Sequence, residues 1–161
     1  MDSITVDIMA LVVSFSALAL SLVQFLRDTS RSKKESTLNA YNELQDTAFN
    51  EINQILKTYK SVDDGKLHIS PDHEKWEAVT NCLSKIERFS VGVNKGIYSN
   101  EIVKCVSGGY LNRLLDELSP VIERKESDNK SDGKHYSEFE HMIDELENIK
   151  YKPYTKQKSK Q

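Results

Sequence analysis

The chain begins with an apolar block and then changes to a polar text in which apolar residues return every three or four positions. Nineteen consecutive residues, Ile8 to Leu26, carry no charge, and Arg27, Arg31, Lys33 and Lys34 follow at once. At about 1.5 Å per residue that block forms a helix about 28 Å long, close to the hydrocarbon thickness of a bilayer. Beyond it, the spacing of Leu38, Tyr41, Leu44, Ala48, Phe49, Ile52, Ile55, Leu56 and Tyr59 predicts an amphipathic helix over residues 36–60. No Gly or Pro occurs between Met1 and Asp64, so both helices can join into one rod, with Thr29-Ser30-Arg31-Ser32 as the place where it would bend or fray.

Asp63-Asp64-Gly65 breaks the pattern, and Ser70-Pro71-Asp72 carries the signals of a new helix start: a capping hydroxyl, a proline at the first helical position and an acid in the first turn. The inward face of this third helix is Trp76, Val79, Cys82, Leu83, Ile86, Phe89 and Val93, and Asn94-Lys95-Gly96 ends it, with Gly96 as a left-handed cap. Ser99 is placed to cap a fourth helix, and Tyr98 to pack on Val103 as a staple, so Gly92 to Ser99 reads as a tight corner. The fourth helix directs Ile102, Val103, Val106, Tyr110, Leu111, Leu114, Leu115 and Leu118 inward, is weakened at Gly108-Gly109, and ends or kinks at Pro120. Lys125 to Lys134 reads as a polar loop. Tyr136, Phe139, Met142, Ile143, Leu146 and Ile149 then form the apolar stripe of a last helix. No segment alternates with period two, so the fold class is all-α: an N-terminal transmembrane helix followed by a small cytosolic bundle of four to six helices.

Charge adds orientation to this picture. A secretory signal would start with basic residues, have a shorter apolar core and end in a small-residue cleavage site. Here the first seven residues contain Asp2 and Asp7 but no Lys or Arg, and Gln24-Phe25-Leu26-Arg27-Asp28 is no such site. Basic residues near the end of a span stay in the cytoplasm, so Arg27, Arg31, Lys33 and Lys34 predict an inner-membrane protein with its N-terminus outside and its C-terminal part cytosolic. The expected organisation is an anchor (1–27), a basic juxtamembrane segment (28–35), a helical domain (36–149) and a disordered Lys-rich tail (150–161). All 22 Lys and Arg follow the span, against 23 of the 25 acids, a net charge of −1 that argues against nucleic acid as a partner. Cys82 and Cys105 both fall in apolar stretches on the reducing side of the membrane and read as small core residues rather than a disulfide.

Candidate chemistry is sparse. Glu138-x-x-His141 has the spacing used in di-metal bundles but stands alone, at the flank of an apolar face, and reads as solvated surface. His68, His73 and His135 lack ligand spacing, and the chain has no nucleophile elbow, no phosphate-binding glycine loop and no zinc-protease helix. No cofactor, no metal and no enzyme activity are expected. Within the span, Ala10, Ser14, Ala17 and Ser21 follow 4-3-4 spacing, with Gln24 near the same stripe; small residues so placed let two helices approach closely in lipid. Glu87 lies at the margin of the third helix's apolar face, where Arg113 or Lys95 could pair with it.

The segment Ile86-Glu87-Arg88-Phe89-Ser90-Val91-Gly92-Val93-Asn94-Lys95-Gly96-Ile97-Tyr98 carries a Glu-x-x-x-x-Gly helix, then Gly-Ile-Tyr. Glu101 and a Tyr-Leu-x-x-Leu core leading toward a proline follow. Together these resemble an uncharacterised bacterial and phage family of short proteins, over roughly residues 8–124. The resemblance implies one N-terminal membrane span before a cytosolic helical domain, and no assigned activity; the Gly108-Gly109 pair departs from its pattern. The functional expectation is a single-pass, membrane-anchored module that binds another protein and self-associates, which the resemblance links to host–phage conflict. The alternatives are a small oligomerising effector that perturbs the bilayer and, third, an enzyme with an unrecognised site.

Overall fold

The computed structural model describes residues 3–128 and 135–149. Its longest element is a rod made of α1 (Ser3–Leu44), one π-helical turn (Gln45–Phe49) and α2 (Asn50–Tyr59), with no residue between them outside a helix. The expected bend at Thr29 to Ser32 does not occur: the Thr29 hydroxyl donates to the carbonyl of Phe25 at 2.8 Å, satisfying the competing group within the helix. The π turn is where one extra residue enters the helical winding, and it re-aims the apolar stripe between Leu44 and Ile52. Tyr41, Leu44, Ala48, Phe49, Ile52, Ile55 and Leu56 are buried as the spacing requires, whereas Leu38 is exposed and the neighbouring Thr37 is fully buried.

The chain leaves the rod at Lys60, turns at Gly65 (φ +71°) and makes one isolated antiparallel bridge, Lys60 with Leu67. Among the described residues there is no strand. Helix α3 (Trp76–Asn94) starts six residues after Ser70. Residues 71–75 are instead held in turns by His73 N–H to the Ser70 carbonyl, by His73 Nδ1 accepting from Lys75 N–H, and by the His73 ring standing edge-on to Tyr59. The start signals at Ser70 to Asp72 therefore serve a tertiary contact with the rod. Leu67 and Ile69, in this connection, are core residues that helical periodicity could not reveal.

The expected fourth helix is two. Helix α4 (Asn100–Ser107) stops at Gly108, whose φ of 52° and ψ of −127° suit glycine alone, and α5 (Tyr110–Asp128) restarts two residues later. This break leaves Val106 and Cys105 exposed, so Cys105 is not a core residue; Cys82 is. Helix α5 runs through Pro120 rather than ending there. Proline's missing N–H frees the carbonyl of Asp116, which accepts the Ser119 hydroxyl at 2.9 Å, and the adjacent Glu117 carbonyl accepts the Leu67 N–H at 2.8 Å. Residues 125–128 of the expected loop are thus helical, and 129–134 lie outside the described residues. Helix α6 (Ser137–Asn148) buries Phe139, Met142, Ile143 and Leu146 against α3, α4 and α5. The expected disordered tail, 150–161, also lies outside the described residues.

The core begins at Thr37. Before it no described side chain is buried; after it the rod, α3 and α6 enclose Ile52, Leu83, Ile86, Phe139 and Met142, and α5 adds Leu111, Leu114 and Leu118.

Candidate functional site

Two regions remain once the core is accounted for: the free part of the rod and the corner between α3 and α4. In the first, eleven large apolar side chains from Met9 to Leu26 stand 57–67% exposed along one continuous helix. Leu11–Tyr59 contains an 18-residue window of mean hydropathy 1.5, none of it buried, so this N-terminal helix is long and apolar enough to cross a membrane. Ser14, Ala17, Ser21 and Gln24 are all exposed on it; the side chain of Ala10 lies outside those described. The Ser16 hydroxyl is satisfied within the helix, as lipid would demand, donating to the Val12 carbonyl at 2.8 Å, just as Thr29 does to Phe25. Arg27 and Lys34 are exposed and Lys33 half-buried, and Arg31 reaches Glu35 at 2.9 Å in an exposed pair that contributes little stability.

The corner brings together four of the residues singled out by the sequence. Gly96 ends α3 in the left-handed conformation (φ +71°), and the N–H groups of Ile97 and Tyr98 both return to the Gly92 carbonyl, at 2.9 and 3.1 Å. Gly92 has no room for a side chain, because an added Cβ would lie 2.5 Å from the Tyr98 ring. That ring stacks on Phe89 with centroids 5.2 Å apart, so its partners are Phe89 and Gly92. Ser99 holds the N-cap position of α4 without a side-chain cap bond; its own N–H donates instead to Thr37 Oγ1 at 2.9 Å, while that hydroxyl donates to the Lys33 carbonyl at 2.7 Å. Thr37 therefore pins the corner to the rod. Its signal in the sequence is only that it precedes Tyr41 by one helical turn, on the buried face.

Glu87 is not part of a salt bridge with Arg113 or Lys95. Its carboxylate accepts the N–H groups of Glu138 and Phe139 at 3.0 and 2.8 Å and so caps α6 from another helix. Burial pushes its carboxyl above the usual range, against the pull of these two donors, with Glu138 and Glu140 adding to the rise. Asn94 Nδ2 donates to both the carbonyl and the carboxylate of Glu138 (2.9 and 2.7 Å), so α3 grips the start of α6 at two points. Tyr136, at φ 63°, turns the chain into that grip. Neither Asn94 nor Tyr136 was distinguishable from ordinary cap or core residues by spacing. Glu138 is consequently half-buried, and His141 is exposed.

The grooves of the domain are shallow. One of about 350 Å³ lies between the rod and α3, lined by Glu43, Leu44, Lys85, Arg88 and Tyr98 among others. Another, about 300 Å³, lies at the Gly108-Gly109 break. Among the described residues no three His, Cys, Asp or Glu side chains group to hold a metal. The Cys82 thiol, buried and donating to Glu51 at 3.3 Å, is pushed up to about 12, chiefly by desolvation.

Compared with known proteins, residues 11–146 match the model of a family described as Domain of unknown function (DUF4760). No curated protein and no solved structure matches the chain.

Proposed function

The chain belongs to the DUF4760 family, which carries no assigned activity, and from its own residues we propose that it is a single-pass protein of a bacterial inner membrane whose cytosolic helical domain binds another protein. The observation that carries this reading is the free apolar helix. A contiguous apolar surface running from Met9 to Leu26 with no packing partner among the described residues is far larger than a folded domain leaves in water, and a bilayer covers it without any further partner. Arg27, Arg31, Lys33 and Lys34 at one end, against none at the other, favour a cytosolic domain. The task is binding rather than catalysis: the described grooves are shallow, and the one buried thiol, Cys82 beside Glu51, is held protonated by desolvation. The resemblance to bacterial and phage proteins suggests an accessory or sensor in host–phage conflict.

Fractionation tests the anchor: the full chain should remain in membranes at high salt, and a reporter fused after Gln161 should be active only in the cytoplasm. Recovery in the supernatant, or an external C-terminus, overturns the reading. Self-association is assigned to Ala10, Ser14, Ala17 and Ser21, with Gln24 hydrogen-bonding across the pair. Ala17→Leu with Ser21→Leu should abolish cross-linked dimers in membranes, and unchanged cross-linking would remove the stripe from the proposal. The alternative, an oligomerising effector that perturbs the bilayer, predicts loss of membrane potential on overexpression; a binding module leaves it intact.

A further inference from the structure

Helix α3 runs antiparallel to the rod. Lys85 Nζ donates to the Thr47 carbonyl at 2.8 Å, the Phe89 ring stands 6.2 Å from Tyr41, and the Ser99 N–H reaches Thr37 Oγ1 at 2.9 Å. Each step along α3 thus moves toward the apolar end of the rod, and the corner follows α3 in that direction, level with Thr37. Thr37 lies eleven residues past Leu26, about 16 Å along the helix at 1.5 Å per residue. A headgroup layer occupies roughly 5–8 Å of that distance, and the usual tilt of about 20° brings one side of a rod closer still. The corner presents one large apolar side chain beside a basic one there. Ile97 is 63% exposed, held out by the left-handed turn at Gly96, with Lys95 exposed beside it and Val91 partly exposed below. Lys33 and Lys34 precede Thr37 by one helical turn on the rod, toward its apolar end, and Glu35 is engaged by Arg31.

We propose that Lys95-Gly96-Ile97 is a lipid-contact tip: it rests on the anionic headgroup layer of the leaflet facing the domain, Lys95 with Lys33 and Lys34 supplying charge and Ile97 supplying apolar contact. This rests on the membrane-anchored reading above. The tip and the span then hold the domain at two points, fixing the tilt of the continuous rod against the bilayer. Each basic side chain near an anionic surface contributes attraction that salt screens.

The test uses the full chain with Cys105→Ser, an environment-sensitive fluorophore on Ile97→Cys, and reconstitution into vesicles of phosphatidylglycerol and phosphatidylcholine. Cys82 is shielded from the label. The same label on Val62→Cys, a fully exposed residue beyond the far end of the rod, reports water. The Ile97→Cys label should emit at shorter wavelength and several-fold more brightly than the Val62→Cys label, be quenched by lipids carrying a shallow quencher, and lose that difference with Lys95→Glu or in uncharged vesicles. A protein that floats with the vesicles while both labels read water overturns the tip and leaves the anchor standing. An equal shift in uncharged vesicles overturns the role of charge. A protein that does not float overturns both.

Discussion

At the scale of single residues, Glu87 shows how much one side chain can organise without a cationic partner. It joins α3 to the first turn of α6 through two backbone N–H groups, and Glu87→Ala leaves both donors unpaired, at a cost of about 1–2 kcal/mol, read as a lower melting temperature. The pH dependence has a definite sign. Because its folded pKa is raised, the stabilisation it contributes is fully present below the unfolded value of about 4.3 and is lost as pH rises through the folded value. Stability should fall across that window, and Glu87→Gln should flatten the slope. Asp64 has the opposite sign: hydrogen bonding to His68 and to the Lys66 N–H lowers it to about 2, so its contribution is lost only as pH falls toward that value. The thiols separate just as clearly. A maleimide at pH 7.5 should modify Cys105 in the native protein and Cys82 only after unfolding, as mass spectrometry would show, because burial both covers Cys82 and holds it protonated.

Among the elements, those built on a single repeating face were legible in the sequence, and those defined by a distant contact were not. The buried faces of the rod from Tyr41 onward, of α3 and of α6 follow from three-and-four spacing, and the Gly96 stop follows from the chemistry of glycine after a helix. The start of α3 did not, because Ser70-Pro71-Asp72 is a sound local cap that His73 and Glu74 override by contacting Tyr59. Of the two outcomes expected at Pro120, an end or a kink, the end does not occur for the same reason: Ser119 and Leu67 occupy the geometry it opens, and only the second is remote in sequence. In the corner, glycine at 92 and 96 was readable, but its attachment through Thr37 was not, since a buried threonine on an apolar stripe carries no signal of its partner. The division of the expected fourth helix makes a sharp test. Gly108→Ala forces a side chain into a backbone conformation only glycine accepts and should cost about 1–3 kcal/mol. Gly109→Ala, with open space around it and an ordinary φ, should be neutral or stabilise by roughly 0.4–1 kcal/mol.

For the molecule as a whole, the core and the free helix are separate physical systems joined at Thr37. No described residue before it is buried, so a chain beginning at Ser30, which keeps Lys33 and Thr37, should be soluble, helical by circular dichroism and cooperative in melting, whereas one beginning at Asn39 should lose the attachment of the corner and melt lower. The join itself has no hinge: the winding passes from the apolar stretch into the domain without a glycine, a proline or a break. A continuous helix transmits torque. Any twist imposed on the apolar end is delivered in full to the domain, so under the proposed self-association the face one copy would show its neighbour is dictated by rotational phase rather than by a loose tether. One alanine inserted after Asp28 would turn the domain by about 100° and erase cross-links between cytosolic faces of paired copies, while seven inserted residues, returning to within about 20° of the original phase, would bring them back.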